Sequence, residues 1–162
     1  MACHLTLHTK TKSGLALITN IHGNGEWTMD KNMLVEKAIE ARSKAYVPYS
    51  KFQVGAAIIT NNDQVYLGCN IENASYGLTN CAERTAIFKA VSEGDTEIKA
   101  IAVVGDTEGP ISPCGACRQV IAEFATEDTK IYLANLNGDV QETTISEILP
   151  GYFTSKDMEK ID

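Results

Sequence analysis

The sequence predicts an α/β domain, a three-layer α/β/α sandwich on a mixed sheet of five strands. Two observations point there. From Asp30 onward, segments with helical spacing of apolar residues alternate with short β-rich runs in the order αββαβαβ(β)α. That alternation is expected of helices packed on both faces of a partly parallel sheet. Two cysteine-bearing helix starts, Cys81-Ala82-Glu83 and Pro113-Cys114-Gly115-Ala116-Cys117, each follow a predicted strand. In such sheets ligands gather at the carboxyl ends of the strands.

Each element has its own signal. Asp30 stands at a helix start, and Met33, Leu34, Lys37, Ala38, Ala41 and Ala45 fall on one face of a helix expected to reach about Tyr46. Val47-Pro48 stops it. Residues 52–60 and 65–70 read as strands joined at Asn61-Asn62-Asp63, a hairpin. A polar loop over 72–80 leads into a helix over 81–93, with Gly94 as its stop. Residues 98–105 are a nearly continuous apolar run, the expected central strand. A loop holding Gly109, Pro110 and Pro113 precedes a helix from Cys114 to about Ala125, then a strand over 130–134. Asn137-Gly138 marks a tight turn, followed by a shorter strand and a small helix over 145–149, stopped by Pro150 and Gly151. The tail keeps Tyr152 and Phe153. A right-handed crossover places consecutive helix N-termini at one end of the sheet, so Cys81 and Cys114 are expected to converge.

Composition narrows the function. The 162 residues make one domain with a full core, and 44% hydrophobic against 22% charged residues is ordinary for a soluble globular protein. No apolar run reaches the length of a membrane span, and Leu15-Ala16-Leu17-Ile18 is too short for a signal-peptide core. Five cysteines without a signal sequence read as reduced thiols in a cytoplasmic protein, which favours metal or catalysis over disulfides. The net charge is −7, and since residues 1–28 hold only Lys10, Lys12 and Glu26, the rest carries −8. A body that acidic repels phosphate backbones, so no nucleic acid is expected as partner, and an uncharged small molecule is favoured. All three histidines, His4, His8 and His22, precede Met29. Any metal site or proton-transfer group in the body must therefore be built without histidine.

Residues 1–28 show no helical or strand period and read as a disordered leader. Gly25-Glu26 can be encoded by a purine-rich tract just upstream of the Met29 codon, as at a bacterial ribosome-binding site. Translation is accordingly expected to start at Met29, with N-terminal sequencing of the native protein as the test and a start at Met1 as the contrary result.

Cys81, Cys114 and Cys117 suit one zinc ion. Zinc takes sulfur ligands in a tetrahedron, and a catalytic site keeps one position open for water. Cys114 and Cys117, at i and i+3, share a face of a first helical turn, where free N–H groups and the helix dipole favour thiolate. A structural zinc site, a redox pair of Cys114 with Cys117, and plain buried cysteines are the alternatives. The first normally takes four ligands, and Cys69 lies inside a strand; the second leaves Cys81 unexplained. Glu83, two residues after Cys81, is placed to move protons beside the metal; on its own it would be a first-turn glutamate favouring the dipole. Three thiolates on Zn²⁺ leave a net −1, which a cation donating hydrogen bonds to sulfur would offset. Arg84 is the favoured partner, ahead of Arg118.

With these residues in view, the chain resembles the small zinc-dependent cytidine deaminases, most closely the homotetrameric bacterial type. The similarity runs over residues 33–153 and includes Val47-Pro48-Tyr49-Ser50-Lys51-Phe52, Gly68-Cys69-Asn70-Ile71-Glu72-Asn73-Ala74-Ser75-Tyr76, Cys81-Ala82-Glu83-Arg84-Thr85-Ala86 and Ser112-Pro113-Cys114-Gly115-Ala116-Cys117-Arg118-Gln119-Val120. The resemblance implies a cytidine-deaminase-like fold, with residues 29–162 as catalytic domain and tail. It implies hydrolytic deamination of cytidine in pyrimidine salvage, with one Zn²⁺ per subunit on Cys81, Cys114 and Cys117 and Glu83 as proton shuttle. Asn70 and Glu72 match the pair that holds the ribose 3′-hydroxyl, Phe52 an aromatic beside the pyrimidine, and the Ala82 N–H the donor to the base carbonyl. Tyr49 and Phe153 match aromatics near the nucleoside, Phe153 reaching it from a neighbouring subunit of a homotetramer with shared active sites. Nucleobase deaminases use a His/Cys/Cys or three-Cys zinc set, and a body without histidine goes with the second.

Overall fold

The structure, a computed structural model, describes residues 30–158. The leader read over residues 1–28 lies outside them. Helix α1 (Lys31–Arg42) is followed by strands β1 (Val54–Thr60) and β2 (Val65–Cys69), helix α2 (Ala82–Ser92), strand β3 (Ile98–Gly105) and helix α3 (Gly115–Phe124). Strands β4 (Ala125–Asn135) and β5 (Val140–Thr143) and the one-turn helix α4 (Ile145–Ile148) complete the order, with single 3₁₀ turns at Tyr76–Leu78 and Ser155–Met158.

The strands form one sheet in the order β2-β1-β3-β4-β5. β1 is antiparallel to both β2 and β3, β3 is parallel to β4, and β5 is antiparallel to β4. β2, β3 and β4 therefore point the same way, and their carboxyl ends share one end of the sheet. The chain leaves that end of β2 towards α2 and that end of β3 towards α3. This brings the two cysteine-bearing helix starts to one place, and α2 packs on α3.

Side-chain alternation splits the sheet into two packed faces. On one, Ile58, Ile101, Val103 and Ile131 meet Ile87 of α2, Ile121 of α3 and Ile145 of α4, all buried. Burying each such side chain contributes about 1.5–3 kcal/mol relative to exposure. The other face packs against α1 through Leu34, Val35, Ala38 and Ala41. Two strand glycines set how closely the helices lie. A Cβ at Gly68 would run into the Ala82 carbonyl and the Ala86 backbone of α2, and one at Gly55 into Ala38 and Arg42 of α1.

Several boundaries differ from the sequence expectation. α1 stops at Arg42 rather than near Tyr46, because Tyr46 joins a different ladder. Its N–H donates to the Asn70 carbonyl (3.0 Å) and its carbonyl accepts from the Glu72 N–H (2.8 Å). β1 begins at Val54 rather than Phe52, since Lys51 turns the chain at φ 61°. β4 starts at Ala125, ahead of the expected Lys130, pairing with Ile98 across a register shift that the Thr129 hydroxyl bridges by donating to the Ile98 carbonyl (2.7 Å). The loop after β2 is more ordered than its polar composition implies: Ile71 bridges both Tyr46 and Asn80.

Candidate active site

Cys81 and Cys114 take the equivalent place in two helices. Each is the N-cap residue, with extended backbone, of α2 and α3 respectively. Cys117 follows on the first turn of α3 and is buried, whereas Cys81 is half-buried and Cys114 exposed. The three sulfurs lie within 4.8 Å of one another. Cys69, by contrast, donates to the Lys44 carbonyl (3.4 Å) and is not part of the cluster.

This trio fits zinc. Tetrahedral zinc with Zn–S bonds of about 2.3 Å spaces its sulfurs about 3.8 Å apart, a spacing inside the 4.8 Å that bounds the cluster. Arg84 supplies the second test. Its Nη2 donates to Cys81 Sγ (3.4 Å) and to the Thr79 carbonyl (3.4 Å). Its Nε is buried with no hydrogen-bond partner among the described residues. A guanidinium with an unspent N–H at a sulfur cluster suits the negative charge that metal-bound thiolates bring. The three sulfurs are not equivalent. The Cys117 thiol donates to Cys81, and Arg84 adds a hydrogen bond and a charge, so the Cys81 pKa is held down to about 5. Cys117 is pushed up by that same hydrogen bond and by burial.

Glu83 is 4% exposed. Burial pushes its carboxyl pKa up, and the Cys81 charge adds to the rise. It sits in the first turn of α2, one residue after Ala82, whose N–H, as that of the first helical residue, falls outside the helix's own ladder. A buried carboxyl, an N–H outside the helix ladder and three sulfurs thus share one corner.

Across from this corner, residues 49–54 form a tightly held segment. The Glu72 carboxylate accepts from the N–H groups of Tyr49 (2.9 Å) and Ser50 (3.2 Å). The Asn70 carboxamide grips both ways, accepting from the Val54 N–H (2.8 Å) and donating to the Phe52 carbonyl (2.8 Å). Arg42 Nε donates to the Gln53 carbonyl (3.1 Å). Asn70 and Glu72 therefore have structural partners in addition to any ligand, a double use their sequence positions did not reveal. The Ser50 hydroxyl, the two N–H groups and the charge of Lys51 hold the Glu72 pKa below the ordinary glutamate value. Tyr49 and Tyr76 meet edge to face, ring centroids 6.0 Å apart, and with Ser50, Glu72 and Thr79 they line a cavity of about 430 Å³.

Arg118 is not a sulfur partner here. Its guanidinium donates to the Pro113 carbonyl (2.8 Å), the Ser112 hydroxyl (2.7 Å) and the Ile148 carbonyl (2.6 Å), bracing the loop before Cys114 against α4. The tail aromatics also part company. Tyr152 packs against the chain's own core, while Phe153 is 58% exposed.

The comparisons with known proteins agree with this corner. Residues 28–133 match the family model described as the cytidine and deoxycytidylate deaminase zinc-binding region. The chain is 65% identical over 130 residues to a cytidine deaminase of Halalkalibacterium halodurans, covering 80% of this chain and 98% of that protein. A cytidine deaminase of Sporosarcina psychrophila is 58% identical over 130 residues, covering 80% and 96%. Among solved structures, the cytidine deaminase of Burkholderia pseudomallei superposes with a TM-score of 0.75 at 54% identity, covering 77% of this chain and 100% of that one. The three sulfurs, the buried glutamate and these matches together establish that the chain belongs to the cytidine and deoxycytidylate deaminase family of zinc enzymes.

Proposed function

We propose that the chain catalyses the hydrolytic deamination of cytidine, and of 2′-deoxycytidine, to the uridine and ammonia, a step of pyrimidine salvage. The observation that carries this reading is the buried Glu83 carboxyl beside the three cysteine sulfurs. One zinc ion held by Cys81, Cys114 and Cys117 would supply Lewis acidity and lower the pKa of a water in its fourth position. Glu83 does the proton work. Its raised pKa suits it to take both protons of the attacking water in turn, the first for ring N3 and the second, from the hydroxyl formed at C4, for the departing amine. Water adds at C4 and ammonia leaves, so the carboxyl ends in the state in which it began. Arg84 offsets the charge of the sulfurs through its hydrogen bonds.

The same reading assigns the substrate's place. Phe52 flanks the pyrimidine, the Ala82 N–H donates to the base carbonyl, Tyr49 lies beside the nucleoside, and Asn70 with Glu72 takes the ribose 3′-hydroxyl. A carboxylate has about four lone-pair positions, so Glu72 retains acceptor capacity beyond its two backbone bonds. The ribose pair favours cytidine over a modified cytosine nucleoside such as a nucleoside antibiotic. A non-catalytic zinc-stabilised binding module would leave the buried Glu83 unused, and burying a carboxyl without return costs stability. Loss of cytidine absorbance on adding purified protein, abolished by a chelator, is the expected result. No loss with a zinc-loaded sample contradicts the proposal.

The same reading takes the enzyme to be a cytoplasmic homotetramer. Tyr76 is 75% and Leu78 71% exposed beside the site, apolar surface suited to a partner chain. Phe153 then closes over a neighbour's nucleoside. The described cysteines are free thiols, as a reducing compartment keeps them. No described helix is long and apolar enough to cross a membrane. Light scattering tests the assembly; an active monomer rules it out.

A further inference from the structure

Phe153 sits in a segment that is pinned although its own ring is exposed. Upstream, Arg118 holds the Ile148 carbonyl, and Tyr152, half-buried, packs against the core. At Phe153 itself, Gln119 Nε2 donates to the backbone carbonyl (2.9 Å). Downstream, the Asp157 carboxylate accepts from the Thr154 N–H (2.7 Å) and hydroxyl (2.9 Å). An apolar ring held out into solvent on a fixed backbone gains nothing within its own chain, and leaving it there forgoes burial. Arg118 and Gln119 follow Cys117 directly on α3, so one turn of helix carries both a metal ligand and the grip on the tail.

We propose that Gln119 is a positioning residue for substrate binding: it fixes the Phe153 backbone so that the ring is presented ready to close a nucleoside site. The inference rests on the reading of Phe153 as a lid. Gln119 never touches substrate and acts only through the tail. Arg118 contributes to the same grip, but it also braces the loop before Cys114, so its loss would mix metal release with tail release. Gln119 separates the two.

The test is a double-mutant cycle on the full zinc-loaded chain with Gln119→Ala, Phe153→Ala and both. Gln119→Ala is expected to raise KM for cytidine roughly two- to fivefold, no more than loss of the Phe153 ring itself, with kcat unchanged. Zinc content by mass spectrometry stays at the wild-type level, and amides over 152–158 exchange faster with deuterium. In the double variant KM rises no further than in Phe153→Ala, since one residue acts through the other. A wild-type KM in Gln119→Ala while Phe153→Ala raises it, or two effects that simply add, overturns the inference and leaves the lid reading standing. An unchanged KM in Phe153→Ala removes the lid reading itself, and the positioning role falls with it.

Discussion

The sulfur corner and the aromatic rim share one end of the sheet, yet one chain covers them very differently. Ala82, Glu83 and Cys117 are buried by α2, α3 and the strands beneath them. Tyr49 and Tyr76, which line the cavity, stand exposed, and so do Leu78 and Phe153. The corner is a product of tertiary packing: Gly68 lets α2 lie close on the sheet, and Arg84 ties the first turn of α2 to the loop that enters it. The rim is a product of backbone hydrogen bonds, which fix where rings are carried without covering them. A region completed within its own chain should fail by losing metal or chemistry. A region left open should fail by losing substrate affinity.

The largest effect is expected in the corner. Cys117→Ala removes the buried member of the trio, and metal binding is coupled to folding, so the variant should lose zinc, activity and thermal stability together. Zinc content by mass spectrometry checks this, and a full complement would remove Cys117 from the ligand set. Glu83→Gln comes next. The amide fits the same space but cannot carry protons, so kcat should fall by ~10²–10⁴ while zinc and fold persist. Retained turnover contradicts the proton role.

Rim variants should be milder and should act on KM. Glu72→Gln replaces a carboxylate that accepts from two backbone N–H groups, and KM for cytidine should rise roughly tenfold with zinc content unchanged. A wild type that deaminates free cytosine as well as cytidine would contradict the ribose assignment behind this variant. Glu72 also has a pH signature. Its folded pKa lies below the ordinary value of 4.5, so its contribution to stability is complete above that pH and is lost as pH falls through the folded value. Acid unfolding of the wild type should therefore include a component near or below that pH that Glu72→Gln lacks; identical acid limbs would contradict it. Phe153→Ala is the mildest, with KM up about fivefold, the scale of one aromatic contact.

The same contrast explains what could be read from the sequence. β3 was legible to the residue because a central strand buried on both faces is a continuous apolar run. The three cysteines and Glu83 were legible because each close pair marks a helix start, and the strand order brings the two starts together. What the sequence hid is carried by backbone groups or depends on tertiary position. The bridges of Ile71 to Tyr46 and Asn80 need no particular side chain. Asn70 and Glu72 read as ligand-binding residues, yet their clamps on residues 49–54 span more than 15 positions, beyond any local pattern. Arg118 stood as near a cysteine as Arg84 did, and only the approach of α4 turned it to the Ile148 carbonyl. Tyr152 and Phe153 are neighbours of similar chemistry, and opposite directions along an extended stretch sent one inward and the other out.

The central proposal is that chemistry is complete in one chain while closure comes from another. It is tested most directly by mixing subunits. Glu83→Gln chains lack the proton carrier and Phe153→Ala chains lack the lid. Dissociated and reassembled together, they are predicted to regain sites with wild-type KM for cytidine, each with an intact Glu83 in one chain covered by the intact Phe153 of its neighbour. If the mixture shows only the raised KM of Phe153→Ala, lid and chemistry belong to the same chain and the account is contradicted.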